Sequence, residues 1–147
     1  MTILAIASCG GHWKQLIRIT KPLERFFNIC YVSTRMDYAS LVENKFYTIR
    51  DFNNNSRMGM LSSFAQAIRI ILEVKPQVVI TTGAAPGLAM VLVAALMRKR
   101  TIWIDSIANV QRISLSGRIA QYFVSQIYTQ WPKLANKRVK YVGNVFG

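Results

Sequence analysis

Apolar residues along this chain form short, almost continuous runs that alternate with stretches of helical spacing. The clearest runs lie at 2–8, 28–34, 77–83 and 101–106, and each is bounded by polar residues, glycine or proline. Such runs are typical of strands that are covered on both faces of a sheet. Three shorter runs predict further strands, at 46–52, 126–131 and 140–144.

Between the predicted strands, apolar residues recur every three or four positions, which predicts helices at 12–19, 37–45, 58–74, 86–98 and 116–123. The polar segment 53–56 predicts a loop, and Pro76 ends the longest helix. That helix carries an apolar side, which predicts that this side faces the core: Leu61, Phe64, Ala65, Ile68, Ile71 and Leu72.

Regular alternation of strands and helices predicts an α/β fold, a Rossmann-like parallel sheet with helices on both faces. The length of 147 residues is that of one domain, which we assign to 1–147. Ligands of such sheets bind beyond the carboxyl ends of the strands. The loops at 8–12, 81–87 and 105–112 each follow a buried strand, so we expect them to form one site.

The charge of the chain predicts an anionic partner. Nineteen Lys and Arg face six Asp and Glu, a net charge of +13, and no acidic residue follows Asp105. Nucleic acid, an acidic membrane surface and phosphorylated substrates all fit, and a solvated basic face is the alternative without a ligand. Charged residues make up only 17 % of the chain, so we expect a surface that is unusually apolar or is partly covered by something else.

Several classes of protein are disfavoured. No apolar run reaches the ~20 residues that span a bilayer, and the best segment, 84–97, predicts a buried or interfacial helix. Cys9 and Cys30 lack the spacing of metal or redox pairs and predict buried free thiols, which suits a reducing cytoplasm. No nucleic-acid-binding motif is present, so we expect no nucleic-acid partner. Basic residues together with three Trp suit peripheral contact with an anionic membrane.

The first candidate loop reads Ser8, Cys9, Gly10, Gly11, His12. Its glycines allow a ligand to approach the backbone, and the free N–H groups of the following helix suit a diphosphate. Neither the G-x-G-x-x-G pattern nor the Walker pattern is present. His12, the one histidine, could act as a base or donate a hydrogen bond to phosphate. A plain tight turn and a structural histidine are the alternatives.

The second and third loops leave similar alternatives open. The small residues between Gly83 and Gly87 give room for a ligand, or they allow a strand and a helix to pack closely. Asp105 ends a strand, where its carboxylate could orient a sugar hydroxyl or serve as a base. It could instead cap the next segment or pair with an arginine. No D-x-D pair and no metal-ligand spacing is present, so we expect no metal site.

Five segments together resemble one family: "GGH" (10–12), "TTGAAPG" (81–87), "WIDSIANVQRISLSGR" (103–118), "TQWPKL" (129–134) and "YVG" (141–143). It is the oligosaccharide-biosynthesis family that includes the membrane-anchor subunit of the two-chain UDP-N-acetylglucosamine transferase of N-glycan synthesis. Its bacterial PssD-type members act in capsule and exopolysaccharide assembly. The resemblance spans nearly the whole chain and implies the fold of the N-terminal, acceptor-side half of a GT-B glycosyltransferase.

The resemblance implies a membrane-associated subunit that helps to transfer a sugar from a UDP-sugar to a polyprenyl-diphosphate-linked saccharide. It implies catalytic roles for His12 and Asp105. It implies that acceptor and diphosphate contact Ser8, Gly10, Gly11, Gly83, Ala84, Pro86, Gly87 and Arg112, and that a partner chain contacts Gln130, Trp131 and Pro132. The UDP-sugar is the donor substrate, bound mainly by that partner, and no cofactor is expected.

Eukaryotic members begin with a transmembrane anchor, whereas the printed chain starts directly with the first strand. We therefore expect peripheral attachment to the cytoplasmic face of the membrane. No second domain follows Gly147, so we expect a separate UDP-sugar-binding subunit. Two alternatives stay open: a non-catalytic anchor or activator of that subunit, and a stand-alone nucleotide-binding Rossmann domain.

Overall fold

The computed structural model describes residues 1–53 and 55–147. Within them, one sheet of parallel strands has the order β3-β2-β1-β4-β5-β6-β7. The strands are β1 (Thr2–Ala7), β2 (Asn28–Ser33), β3 (Phe46–Thr48), β4 (Val78–Thr81), β5 (Arg100–Ile104), β6 (Gln126–Thr129) and β7 (Val139–Tyr141). The α-helices are α1 (Gly11–Thr20), α2 (Arg57–Val74), α3 (Ala84–Leu96) and α4 (Leu115–Ala120). The predicted α/β class with a Rossmann-like parallel sheet is confirmed.

Some of the observed elements differ from the predicted ones. The helix predicted at 37–45 is a 3₁₀ turn, Met36–Leu41, which ends because Val42 is extended. Two further 3₁₀ turns cover Lys21–Arg25 and Pro132–Leu134. The loop predicted at 53–56 includes Asn54, which lies outside the described residues, and its last residue, Ser56, caps α2 by accepting from the Gly59 N–H.

Strand β1 lies at the point where the sheet reverses its strand order. It pairs with β2 on one side and with β4 on the other, and the chain proceeds outward in both directions from this pair. The loops that follow β1 and β4 therefore diverge to opposite faces and leave a crevice between them. This is where open α/β sheets bind ligands.

Two layers cover the sheet. Helices α2, α3 and α4 share a core with one face, whereas α1 and the first two 3₁₀ turns cover the other. Helix α3 is largely buried, as predicted for 84–97, with the buried side chains Pro86, Ala89, Met90, Val91, Val93 and Ala94. None of the helices in the described part of the chain is long and apolar enough to cross a bilayer.

The side of α2 that faces the core agrees with the predicted one only in part: Ile71 is buried and Phe64 packs against the core, as predicted, whereas the other four predicted residues are exposed. Small residues at four-residue intervals, Gly59, Ser63 and Ala67, face inward together with Ile70 and Ile71. Helix α2 packs against α3, and four of the predicted core residues turn outward: Leu61, Ala65, Ile68 and Leu72. Apolar periodicity predicted the helix but only part of the side that it buries.

The two cysteines also differ from each other. Cys30 is a buried free thiol in β2, as predicted, whereas Cys9 is exposed. Cys9 lies in the loop beyond β1, where the chain has already left the covered part of the sheet. The prediction that both thiols are buried is therefore wrong for Cys9.

Candidate functional site

His12 lies in the first turn of α1, beside the loop that follows β4. Its Nδ1–H donates to the Thr82 carbonyl oxygen over 2.8 Å, and the Thr82 hydroxyl donates to the His12 carbonyl oxygen over 2.7 Å. A carbonyl oxygen only accepts hydrogen bonds, so Nδ1 carries a proton. The Nε2 atom is then the ring nitrogen left for a ligand, and the half-buried ring joins the first two predicted loops.

The backbone of the second loop makes room for this imidazole. Gly83 has a φ of 116°, and a Cβ there would lie 3.2 Å from Cε1 of His12. Ala84 follows with a φ of 65°, which is unusual for a residue with a side chain. Backbone strain of this kind concentrates at functional sites. Glycine is therefore required at 83 both by conformation and by the His12 ring.

The first loop opens onto a cavity of about 520 Å³. Gly10 and Gly11 are exposed, and a Cβ on either would meet nothing within 4 Å. The Gly10 N–H donates to the Tyr38 hydroxyl over 3.0 Å, and the Tyr38 ring stacks on Trp13. The cavity is lined by two cationic side chains, by apolar groups and by no carboxylate: Gly10, Trp13, Lys14, Ile17, Arg18, Tyr38, Leu41 and Phe146.

Asp105 is buried, with 1 % of its surface exposed, and its carboxylate is fully engaged. Oδ1 accepts from the Trp103 indole and the Ser114 hydroxyl, and Oδ2 accepts from the Asn109 amide and the Ser114 N–H. Four donors leave it no free position toward a substrate. The catalytic role predicted for Asp105 stays a prediction, and these contacts favour positioning of the loop between β5 and α4.

A buried glutamine that the sequence analysis did not single out ties α1 to this loop. The Gln15 side chain donates to the Asp105 carbonyl oxygen over 3.2 Å and accepts from the Ile107 N–H over 3.2 Å. Residues three apart on a helix share a side, so the spacing from His12 was the available signal. Gln15 therefore fixes the helix that carries His12 to the loop held by Asp105.

The residues predicted to meet a partner contribute unequally to the surface. Gln130 is buried, where its side chain donates to the Asp105 carbonyl oxygen and accepts from the Val145 N–H. The half-buried Trp131 donates its indole N–H to the Ile107 carbonyl oxygen over 2.8 Å. Pro132 is exposed at the start of a 3₁₀ turn. A chain docking here would touch Trp131 and Pro132, while Gln130 supports them from within.

Four of the predicted acceptor residues are buried, and one of them is Gly83 beside His12. Ser8 is covered at the end of β1, and Pro86 and Gly87 lie in the first turns of α3 against the sheet. A Cβ at Gly87 would collide with the Thr81 hydroxyl, so this glycine serves the close packing of helix on strand. Arg112 is exposed in the loop before α4. The structure thus brings Gly10, Gly11 and His12 of the first loop beside Gly83 and Ala84 of the second.

Comparison with known proteins places the chain in a family. The family model described as "Oligosaccharide biosynthesis protein Alg14 like" matches residues 44–145. A protein of Yarrowia lipolytica named UDP-N-acetylglucosamine transferase subunit ALG14 is 28 % identical over 96 % of this chain and 79 % of its own length.

Solved structures share the fold at low identity. MurG of Acinetobacter baumannii matches with a TM-score of 0.79 at 15 % identity, over 96 % of this chain. A UDP-GlcNAc 2-epimerase of Neisseria meningitidis, solved with UDP-GlcNAc, matches with a TM-score of 0.72 at 10 % identity, over 99 % of this chain. The chain spans 45 % of the first and 47 % of the second.

The predicted likeness to one half of a GT-B glycosyltransferase is thereby confirmed as a statement about fold. The family match covers well over half of the chain, including the loops after β4 and β5. The predicted membership in an oligosaccharide-biosynthesis family is confirmed as well. The chain belongs to the Alg14-like oligosaccharide biosynthesis proteins.

Proposed function

We propose that this chain is the acceptor-side, membrane-associated subunit of a two-component glycosyltransferase. The pair transfers a sugar from a UDP-sugar to a polyprenyl-diphosphate-linked saccharide, and a separate chain binds the UDP-sugar. Support comes from the Alg14-like family and from a relative named as a UDP-N-acetylglucosamine transferase subunit. A PssD-type role in capsule or exopolysaccharide assembly at the cytoplasmic face of the membrane belongs to the same proposal.

The observation that carries the proposal is the mutual clamp between His12 and Thr82 at the crevice where the strand order reverses. With Nδ1–H donating to Thr82, Nε2 is the ring nitrogen left to act as a base. In the transfer, the acceptor hydroxyl oxygen bonds to the anomeric carbon while the bond from that carbon to UDP breaks. UDP leaves with the electron pair, and Nε2 accepts the hydroxyl proton.

The adjoining cavity suits the diphosphate end of a lipid-linked acceptor. Lys14 and Arg18 offer positive charge, and Trp13, Ile17 and Leu41 offer apolar surface. The exposed backbone at Gly10 and Gly11 allows phosphate oxygens to approach the start of α1. We assign Asp105 a positioning role in this reaction, because its oxygens already accept four hydrogen bonds.

The test is a turnover assay with lipid-linked acceptor and UDP-sugar. Our chain, the UDP-sugar-binding subunit of the same organism, and the two together are assayed separately. We expect product only when both chains are present, and we expect His12→Ala to abolish most of it. Product from the other subunit alone would instead make this chain a dispensable enhancer and would contradict the split-enzyme proposal.

Two controls separate the alternatives. If His12→Ala left turnover intact while the chain remained necessary, the chain would be a non-catalytic anchor or activator. Tight binding of a UDP-sugar by this chain alone, measured by calorimetry, would favour a stand-alone nucleotide-binding domain. Weak binding that strengthens when the second subunit is added is the result expected for the split enzyme.

A further inference from the structure

Helix α2 presents a continuous apolar stripe to solvent: Met58, Leu61, Ala65, Ile68 and Leu72. The four large side chains of this α2 stripe are between 43 % and 79 % exposed. The spacing of three, four, three and four residues keeps the α2 stripe within an arc of about 80° along a helix about 27 Å long. Such a contiguous exposed stripe marks a contact surface rather than scattered surface residues.

Arginines border the α2 stripe on both sides. At about 100° per residue, Arg57 lies about 20° beyond one edge of the arc and Arg69 about 20° beyond the other. Both are exposed. An apolar stripe between basic flanks is the pattern of helices that lie in the headgroup region of an anionic bilayer.

Little negative charge opposes these arginines. Between 57 and 124 the chain has two carboxylates, Glu73 and Asp105, and Asp105 is buried. Glu73 accepts from the Tyr47 hydroxyl over 2.8 Å and from the Lys45 ammonium over 3.1 Å, so its charge is offset locally. The same segment has eight cationic residues: Arg57, Arg69, Lys75, Arg98, Lys99, Arg100, Arg112 and Arg118.

Helix α4 has further exposed apolar residues on the same side of the sheet, across α3 from α2. It packs against α3, as α2 does, and both contribute to one core. Leu115, Ile119 and Phe123 are exposed there, and the neighbouring Tyr122 ring lies under the Arg138 guanidinium at 4.7 Å. Aromatic rings beside arginine are favoured at a membrane interface.

We infer that the face formed by α2 and α4 lies on anionic phospholipid headgroups, with the α2 stripe inserted. This rests on the proposed peripheral location and specifies the surface responsible for it. Each of these helices follows a strand and so begins at the carboxyl edge of the sheet, where His12 lies. The diphosphate of a membrane-embedded acceptor would then lie at the level of the first loop.

The test measures binding of the purified chain to vesicles of phosphatidylcholine, with or without phosphatidylglycerol, by co-sedimentation. We expect binding to require phosphatidylglycerol and the Leu61→Gln, Leu72→Gln double variant to lower the partition constant at least about tenfold. The matched control is Phe26→Gln, Val142→Gln, whose side chains are similarly exposed: Phe26 follows the first 3₁₀ turn, and Val142 lies beside Ile19 of α1 in the opposite layer. Little change is expected for it.

Two double variants of cationic residues test the electrostatic part of vesicle binding. We expect Arg57→Gln, Arg69→Gln to weaken binding about tenfold, and Lys21→Gln, Arg25→Gln to weaken it much less at the same net charge. Equal losses for both charge pairs, or for both apolar pairs, would overturn the inference. Circular dichroism should show unchanged folding for all four variants, because each replaced side chain is exposed.

Other occupants of the face give distinct results. If the Leu61, Leu72 variant changes the mass in sedimentation equilibrium but not vesicle binding, a second copy covers the α2 stripe and the inference is wrong. If that variant loses turnover with the donor subunit on detergent-solubilised acceptor, the stripe contacts that subunit and the inference is again wrong. Turnover kept in detergent but lost on vesicles supports it. A wild-type chain that binds no vesicles would overturn the inference and the peripheral location together, while leaving the split-enzyme proposal to its own assay.

Discussion

His12 and Asp105 follow strands that end at the same edge of the sheet, yet they occupy opposite kinds of environment. The His12 ring is half-buried and makes one hydrogen bond through Nδ1, which leaves Nε2 without a partner among the described residues. The Asp105 carboxylate is buried and accepts four hydrogen bonds from its own loop and strand. Their positions in the topology are alike, but only one of the two is able to offer an atom to a substrate.

This contrast distinguishes two roles in the site: a residue that offers an atom to a substrate, and residues that hold it in position. Two reciprocal hydrogen bonds with Thr82 orient His12 without occupying Nε2. Asp105, Gln15 and Gln130 form a closed polar cluster behind the site and fix the helix that carries His12. A polar residue after a buried strand is therefore a candidate for either role, and its count of hydrogen-bond partners distinguishes them.

Replacing His12 by Ala should give the largest change. We expect turnover of the two-subunit enzyme to fall about 10²-fold or more, because the group that accepts the proton is lost. Stability should change little, since the ring is half-buried and loses a single hydrogen bond. Steady-state turnover and urea unfolding measure the two quantities. Unchanged turnover would show that His12 has no chemical role.

Replacing Asp105 by Ala should act mainly on folding. The change leaves four donors without an acceptor, so we expect the free energy of unfolding to fall by about 3 kcal/mol or more. Ser114→Ala is the graded companion: it removes one of these donors and the cap that accepts from the Gly117 N–H. We expect it to cost roughly 1 kcal/mol. An Asp105→Ala protein as stable as wild type, with turnover as low as that of His12→Ala, would make Asp105 catalytic.

Gly83→Ala tests whether the second loop shapes the site. Its φ of 116° is strained for alanine, and the added Cβ would press on the His12 ring. Gly143→Ala is the matched control, with a φ of 122° and no atom within 4 Å of its added Cβ. Both should lose roughly 1–3 kcal/mol of unfolding free energy, while only Gly83→Ala should lower turnover. Equal turnover in the two variants would contradict the role assigned to Gly83.

The fold was predictable because its signals are local. Continuous apolar runs gave the strands, and their alternation with helical spacing gave the parallel sheet, so β1, β4, β5, α2 and α3 lie close to their predicted bounds. The convergence of the loops followed from topology alone. The resemblance to a family added the roles expected for the residues of these loops before their geometry was known.

The features that could not be predicted from the sequence depend on packing between segments that are distant along the chain. On α2 the small residues Gly59, Ser63 and Ala67 are buried, whereas the larger Leu61 is exposed, so size of the apolar side chain did not indicate the inward side. The difference between His12 and Asp105 depends on Thr82, Ser114 and Asn109, partners that spacing alone does not identify. Apolar periodicity predicts that a helix has an apolar side. It does not distinguish a side that packs on the core from a side that binds another molecule.

Thr82→Val should give a smaller effect on turnover. Valine keeps the shape of the buried side chain but removes the hydroxyl that donates to the His12 carbonyl oxygen. We expect turnover to fall about tenfold or less, with KM unchanged, and stability to fall by about 1 kcal/mol. Thr101→Val removes a comparable buried hydroxyl, which accepts from the Ser125 N–H at the far end of β5. It should lose similar stability with full turnover, and a parallel loss of turnover there would mean that Thr82 acts only through folding.

The smallest effect concerns Glu73, an exposed carboxylate that contrasts with the buried Asp105. Hydrogen bonds from Tyr47 and then Lys45 lower the pKa of Glu73 below its ordinary value of 4.5. A lowered pKa in the folded state means that this contribution is full above the unfolded-state pKa and is lost as pH falls through the folded-state pKa. Wild type should therefore be slightly more stable than Glu73→Gln near neutral pH, and the difference should vanish in acid. Urea unfolding at a series of pH values measures it, and a difference that grows as pH falls would contradict the assigned contacts. Since solvent screens this pair, the loss of unfolding free energy in Glu73→Gln should stay well below the loss in Asp105→Ala. The two losses distinguish a buried carboxylate that holds the site together from an exposed one that does not.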